Sequence, residues 1–233
     1  MTQIPFEFSH AASFAAADFV VSESNAAAFA WVERWPAWPG PALCLHGPAG
    51  AGKSHLGALW RERAKARRVA PAELADFAAT PRLAEDAAAF LLDDLDRRLT
   101  VEGERGLLHF YNAVAERGGH LLLIGRRPPT HWPIGLADLR SRLAAAPAVA
   151  LGAPDDLLLK AVMAKLFADR QLAVAPEVLD YLALRIERSF AAVAAAVAAL
   201  DRDSLALSRG VTMQRAKALL ERVEQAPGGR LGN

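Results

Sequence analysis

The pattern of this sequence predicts an α/β protein with a parallel sheet, followed by an all-helical unit. Short apolar runs alternate with helical periods as far as residue 151, the order expected of right-handed β-α-β units. The first of these runs leads straight into a glycine-rich turn and then a helix. After Gly152-Ala-Pro154 only helical periods remain.

Residues 1–18 are small, apolar and aperiodic, and read as a loosely held N-terminal arm. Ser24 and Asn25 cap a short helical stretch that Pro36, Pro39 and Pro41 break. The run Ala42–His46, bounded by proline and glycine, is a buried strand, and residues 53–68 follow as a helix with Leu56, Leu59 and Trp60 on one face. Residues 69–88 are ambiguous, with a weak strand near 68–70 and a short helix. Residues 89–92 form the next buried strand, 103–117 a helix, 120–124 a strand, 140–144 a helix and 148–151 a last short strand. Beyond Pro154 the helical periods cover 155–169, 176–187, 189–208 and 212–225; Pro154 and Pro176 suit first-turn positions and Thr212 an N-cap. The expected division is therefore an arm at 1–18, a base at 19–153 and a helical unit at 154–233.

The chain has 233 residues, and its hydrophobic fraction of 53% includes 51 alanines, so the core-forming share is smaller than that figure suggests. A formal net charge of +1 excludes a strongly basic, DNA-coating surface, and 22 arginines against five lysines suggest a GC-rich genome. A single cysteine, Cys44, excludes a disulfide framework and a multi-cysteine zinc site, and fits a reducing cytoplasm. No basic, continuously apolar leader opens the chain, and its longest uncharged apolar stretch falls short of the roughly 20 residues a bilayer needs. The expectation is a soluble, cytoplasmic protein with no membrane partner.

The strongest chemical signal is Gly47, Pro48, Ala49, Gly50, Ala51, Gly52, Lys53 and Ser54, which fill G-x-x-x-x-G-K-[ST] between a strand and a helix. Backbone N–H groups of such a loop, with the helix N-terminus behind them, surround phosphate oxygens. Lys53 is expected on the β- and γ-phosphates and the Ser54 hydroxyl on Mg²⁺. Asp93 and Asp94 close the strand at 89–92, and carboxylates at the C-terminal end of a parallel strand gather where ligands bind. Asp93 is then the Mg²⁺-side carboxylate and Asp94 a group that orients water, while Asp96 reads as surface charge. Cys44 reads as a core cysteine, His46 as structural, and Trp35 and Trp38 as covering an edge of the base.

Gly52-Lys-Ser-His-Leu56, the Asp93-Asp94 pair, Leu122-Leu-Ile-Gly-Arg-Arg-Pro-Pro129 and Leu139-Arg-Ser-Arg-Leu143 resemble the DnaA-type AAA+ initiator ATPases. The resemblance spans nearly the whole chain and implies an AAA+ P-loop base with a five-stranded parallel sheet and a small helical lid, with ADP or ATP and Mg²⁺ between them. The segment 18–25 is similar to that family's N-terminal box, so Phe19 and Val20 join the nucleotide site, together with His55 after the loop, for which a structural role like that of His46 is the alternative. Nothing in the chain resembles the initiators' oligomerisation or helix-turn-helix DNA-binding domains.

Residues 200–220 and the terminal segment 3–8 are similar to regulatory inactivators of DnaA, which share this fold. In that comparison Gln3, Ile4, Phe6 and Phe8 look like the short peptides that bind the sliding clamp, the β subunit of DNA polymerase III. Pro5 favours an extended conformation that limits the entropy lost on docking. These aromatics folding back onto the base is the alternative. The resemblance also implies that Arg142 projects toward a neighbouring DnaA subunit's nucleotide, where a guanidinium offsets transition-state charge; a structural surface charge is the alternative, and Arg140 is expected to point elsewhere. DNA would be contacted only through the clamp, and homo-oligomerisation stays open. Two positions depart from the family. Gly125-Arg-Arg127 stands where a polar sensor residue follows the fourth strand, with contact to phosphate by Arg126 or Arg127 and a surface role as the two readings, and Ala192 stands at the lid arginine, for which Arg188 is a candidate substitute. Both weaken hydrolysis by the chain itself and leave binding intact. The rival expectation is an autonomous AAA+ ATPase of the DnaA and helicase-loader clade.

Overall fold

The computed structural model describes residues 19–75, 84–85, 87–207 and 211–225. Gln3, Ile4, Phe6 and Phe8 lie outside the described residues. The five strands β1 (Ala42–His46), β2 (Arg67–Arg68), β3 (Ala89–Leu92), β4 (His120–Gly125) and β5 (Ala148–Ala150) form one sheet in the order β2-β3-β4-β1-β5. Every pairing is parallel. This is the sheet the apolar runs predict, and its C-terminal ends converge on one edge.

The period of two along the strands sorts side chains onto two faces. Ala42, Cys44, Phe90, Leu92, Leu121 and Leu123 face one core, shared with Leu107 and Phe110 of α4 (Val101–Glu116) and Leu139 and Leu143 of α5 (Ala137–Ala145). Leu43, Leu45, Leu91, Leu122 and Ile124 face the other, with Val32 of α1 (Ala26–Glu33) and Leu56 and Trp60 of α2 (Lys53–Ala64). Cys44 sits wholly inside, where burial pushes its thiol up to about 12. Trp38 stacks on Trp60 with centroids 5.5 Å apart, and Trp35 meets Trp60 edge-on, so the tryptophans cover the base as expected.

Several boundaries differ from the sequence expectation, among them the helix expected over 176–187, which ends at Ala183, and the helix expected from residue 103, which begins at Val101. Helix α2 ends at Ala64, four residues early, because Lys65 turns left-handed and the Ala66 N–H donates to the Arg61 carbonyl. That stop frees Arg67 and Arg68 for the edge strand β2. Helix α5 begins three residues early, at Ala137 rather than residue 140. A single turn, α3 (Leu95–Arg98), follows β3 directly.

After β5 come α6 (Asp156–Asp169), α7 (Pro176–Ala183), α8 (Phe190–Leu207) and α9 (Met213–Gln225). Their core includes Leu159, Met163, Phe167, Leu182, Val193, Val197, Leu200 and Leu219. The alanine-rich face of α8 packs closely here, and no helix among the described residues is long and apolar enough to cross a membrane.

Asp155 joins the two parts of the chain. Its carboxylate caps α6 by accepting from the Leu158 N–H at 2.8 Å, and it also accepts from Ser22 and Ser24. Burial alone would raise its pKa, but these hydrogen bonds outweigh burial and hold the carboxyl below its ordinary value. A depressed folded value means stability that is present above the ordinary carboxylate range and lost as pH falls through the folded value. Asp155→Ala should therefore cost about 1 kcal/mol of unfolding free energy at neutral pH, the usual worth of an N-cap. Urea titrations at successively lower pH should show that difference shrinking once wild-type Asp155 itself protonates; a cost that does not vary with pH would refute the assignment.

Candidate functional site

The turn between β1 and α2 is built for close approach. Gly50 sits at φ +74°, and a Cβ there would lie 2.4 Å from the Ser189 Cβ, inside contact distance. Gly52 lies beneath the Phe190 ring, and the Phe190 N–H donates to the Gly50 carbonyl at 3.3 Å. The first residues of α8 thus rest directly on the loop. Lys53 is buried, and its ammonium donates to the carbonyls of Gly47 (2.8 Å) and Pro48 (2.7 Å). Burial lowers its pKa, Asp93 opposes that trend and Arg126 adds to it.

Beside the loop opens a cleft of about 310 Å³ lined by Ala49, Gly50, Lys53 and Ser54, by Asp93 and Asp94, and by Arg68, Arg98 and Arg126. The parallel register accounts for this gathering. Arg68 ends β2 opposite Leu91, two residues before Asp93, and Arg126 follows the last residue of β4. Asp93 lies 3.8 Å from the Arg68 guanidinium, while Asp94 pairs with Arg98 at 3.2 Å and Arg97 at 3.7 Å. Asp94 adopts the left-handed region (φ +59°), which short polar side chains tolerate. Ser54 and Asp93 offer the hydroxyl and carboxylate oxygens that Mg²⁺ takes beside phosphate oxygens. Among the described residues no group of three or more His, Cys, Asp or Glu could hold a metal. The donor set fits Mg²⁺ held chiefly by a nucleotide's own phosphates.

Next to the loop, Phe19 stacks on Phe29 at 5.3 Å and meets the His55 ring edge-on at 5.5 Å. The Val20 carbonyl accepts from the Asn25 side chain at 3.0 Å, which fixes this segment against α1. Phe19, Phe29 and His55 thus form an aromatic wall beside the loop. His46 is pushed below its ordinary value by burial and by Lys53, in keeping with a neutral structural role.

Asp96 corrects the sequence reading. It is not merely surface charge, since one carboxylate oxygen accepts from the backbone N–H groups of Arg126 (2.9 Å) and Arg127 (3.3 Å). Its signal was available in the sequence. Asp96 lies three residues past Asp93 on a one-turn helix, which carries it back across the strand ends. Sequence reasoning also missed Arg68, Arg98, Ser189 and Phe190, because their approach to the loop depends on tertiary packing. Ala192 is fully buried at the start of α8, and Arg188 pairs instead with Asp156 of α6 at 2.8 Å.

Arg142 stands apart from the cleft. It is two-fifths exposed on α5, 3.4 Å from Asp138 and 6.0 Å from the centre of the Tyr111 ring. Arg140, exposed two residues earlier, donates to the Ile134 carbonyl at 3.1 Å.

The fold is that of AAA+ proteins, of the DnaA-like kind. Domain III of the Thermotoga maritima replication initiation protein DnaA superposes with a TM-score of 0.78 at 18% identity, covering 90% of this chain and 96% of that one. AMPPCP-bound DnaA from Aquifex aeolicus gives 0.67 at 18% identity, over 89% and 70%. The ADP complex of the FIGL-1 AAA domain gives 0.64 at 14%, over 87% and 82%. No protein-family model and no curated protein sequence matches the chain.

Proposed function

We propose that this chain is a nucleotide-binding adaptor of the Hda type, a regulatory inactivator of DnaA. In this reading it holds ADP or ATP in the cleft beside Lys53 and Ser54, with Phe19, Val20 and His55 on the base side. Residues 3–8 tether it to the DNA-loaded sliding clamp, and Arg142 completes the catalytic site of ATP-bound DnaA. Hydrolysis leaves DnaA in its ADP form and blocks re-initiation of chromosome replication.

The observation that carries this reading is the placement of Arg142, half exposed on α5 and away from its own protomer's phosphate cleft. A cation held outward stabilises charge in another protein's site. The chain's own cleft is poorly equipped for turnover. Arg98 occupies Asp94, the group expected to orient water, and an arginine follows β4 where a polar group would be needed. An arginine is a donor only and cannot take a proton from water. Bound Mg²⁺ would supply charge neutralisation of the phosphates, with Ser54 and Asp93 as its protein ligands. Lys53 would leave its two carbonyls for the phosphate tail.

The test follows ATP hydrolysis by DnaA in the presence of clamp loaded on DNA. Adding this protein should stimulate it, Gln3→Ala should stimulate far less, and the isolated protein should turn over very little. Rapid hydrolysis by the isolated chain, with no effect on DnaA, would favour the autonomous ATPase instead.

A further inference from the structure

We infer that Arg126 is a phosphate ligand in its own protomer, and that with Arg68 and Arg98 it lets the cleft hold a nucleoside di- or triphosphate without a divalent cation. This inference rests on the nucleotide-binding reading of the cleft and concerns how the charge of the phosphate tail is met there.

The first ground is charge. The cleft is lined by four cations, Lys53, Arg68, Arg98 and Arg126, and by two acids, Asp93 and Asp94. Each acid has an arginine within ion-pair distance, Asp93 with Arg68 and Asp94 with Arg98. Asp96, held on the Arg126 and Arg127 N–H groups, also acts on Lys53, so the cations Lys53 and Arg126 outnumber the one remaining acid, and Arg126 has no ion-pair partner among the described residues. In a site of the opposite balance, free carboxylates would repel the polyphosphate unless a metal ion stood between them. Here the cations can meet the tail directly.

The second ground is preorganisation. The turn that carries Arg126 is held from three sides. Asp96 accepts from the N–H groups of Arg126 and Arg127, and the Trp132 indole donates to the Arg127 carbonyl at 2.7 Å. Gly125 is packed so closely that a Cβ would lie 2.9 Å from the Trp132 ring. A guanidinium launched from a fixed backbone loses less freedom when it binds. Its planar fork also matches a phosphate with two parallel donors, which a lysine cannot do. The electrostatic effect of Arg126 on Lys53 places the two cations in one field.

The test is equilibrium binding of ADP and of ATP to the full chain by titration calorimetry, with magnesium and with excess EDTA. Wild type should keep its affinity within about fivefold on chelation; a larger loss would overturn the metal-independent part. Arg126→Gln, an exposed substitution with little bearing on folding, should weaken binding in EDTA by at least about tenfold, the low end of what a charge-assisted hydrogen bond supplies. A smaller change would remove Arg126 from the site. Magnesium should partly restore binding to Arg126→Gln, whereas Lys53→Ala should bind weakly in both conditions. If wild type binds neither nucleotide even with magnesium, the nucleotide reading itself fails. Binding that needs magnesium overturns only this inference.

Discussion

Arg142→Ala should leave DnaA hydrolysing ATP at its unstimulated rate, even with clamp on DNA and the variant in excess. Arginines supplied in trans to phosphoryl-transfer sites are worth roughly 10³- to 10⁵-fold in rate, so the effect should be close to complete. Arg142→Lys should recover only a fraction, because an ammonium keeps the charge but not the two-pronged geometry. The fold itself should hardly notice. The contact with Asp138 is an exposed pair one helical turn apart, worth about 0.3–0.5 kcal/mol, and the approach to Tyr111 adds about 0.5–1 kcal/mol. Thermal unfolding of Arg142→Ala alongside the rate assay separates lost chemistry from lost structure. Equal stimulation by variant and wild type would defeat the assignment.

Gly106→Ala should be severely destabilising. In a free helix the change gains up to about 1 kcal/mol. In α4 the added carbon would lie 1.7 Å from the Leu74 carbonyl oxygen, on the one-turn helix Pro71–Ala75 that packs across it. That neighbour is backbone, so relief requires the two elements to separate, and Leu74 and Leu107 are both fully buried at the join. A cost of about 3 kcal/mol or more follows from such overpacking. Gly103→Ala, one turn earlier, is the control. Its nearest neighbour is the end of the Leu99 side chain at 3.1 Å, which can move, so its stability should stay within about 1 kcal/mol of wild type. Urea midpoints of the two variants decide the matter.

The sheet was legible in the sequence because its inner strands are continuous apolar runs with no competing period. Ala89–Leu92 and Ala42–His46 could only be buried strands beside a glycine-rich turn. The edge strand was faint for a physical reason. Arg67 and Arg68 hold two residues of ladder with no hydrophobic signature, and the preceding helix stops through a left-handed Lys65 that no propensity announces. At the cleft, the residues of the glycine-rich loop and Asp93 were readable because their spacing is the chemistry. Arg68 and Arg98 were not, since their roles arise only when three parallel strand ends are laid side by side. Phe190 was harder still, arriving from the far side of a boundary that sequence alone marks by composition.

Ser22 and Ser24 fasten the segment that carries Phe19 and Val20 to Asp155. In the proposed reading, load from a partner bound at residues 3–8 would therefore enter the described chain at Phe19 and pass within five residues to Asp155 at the start of α6. Under that proposal an anchor there would do more than raise local concentration: pull from the partner and occupancy of the cleft would become two readings of the same joint.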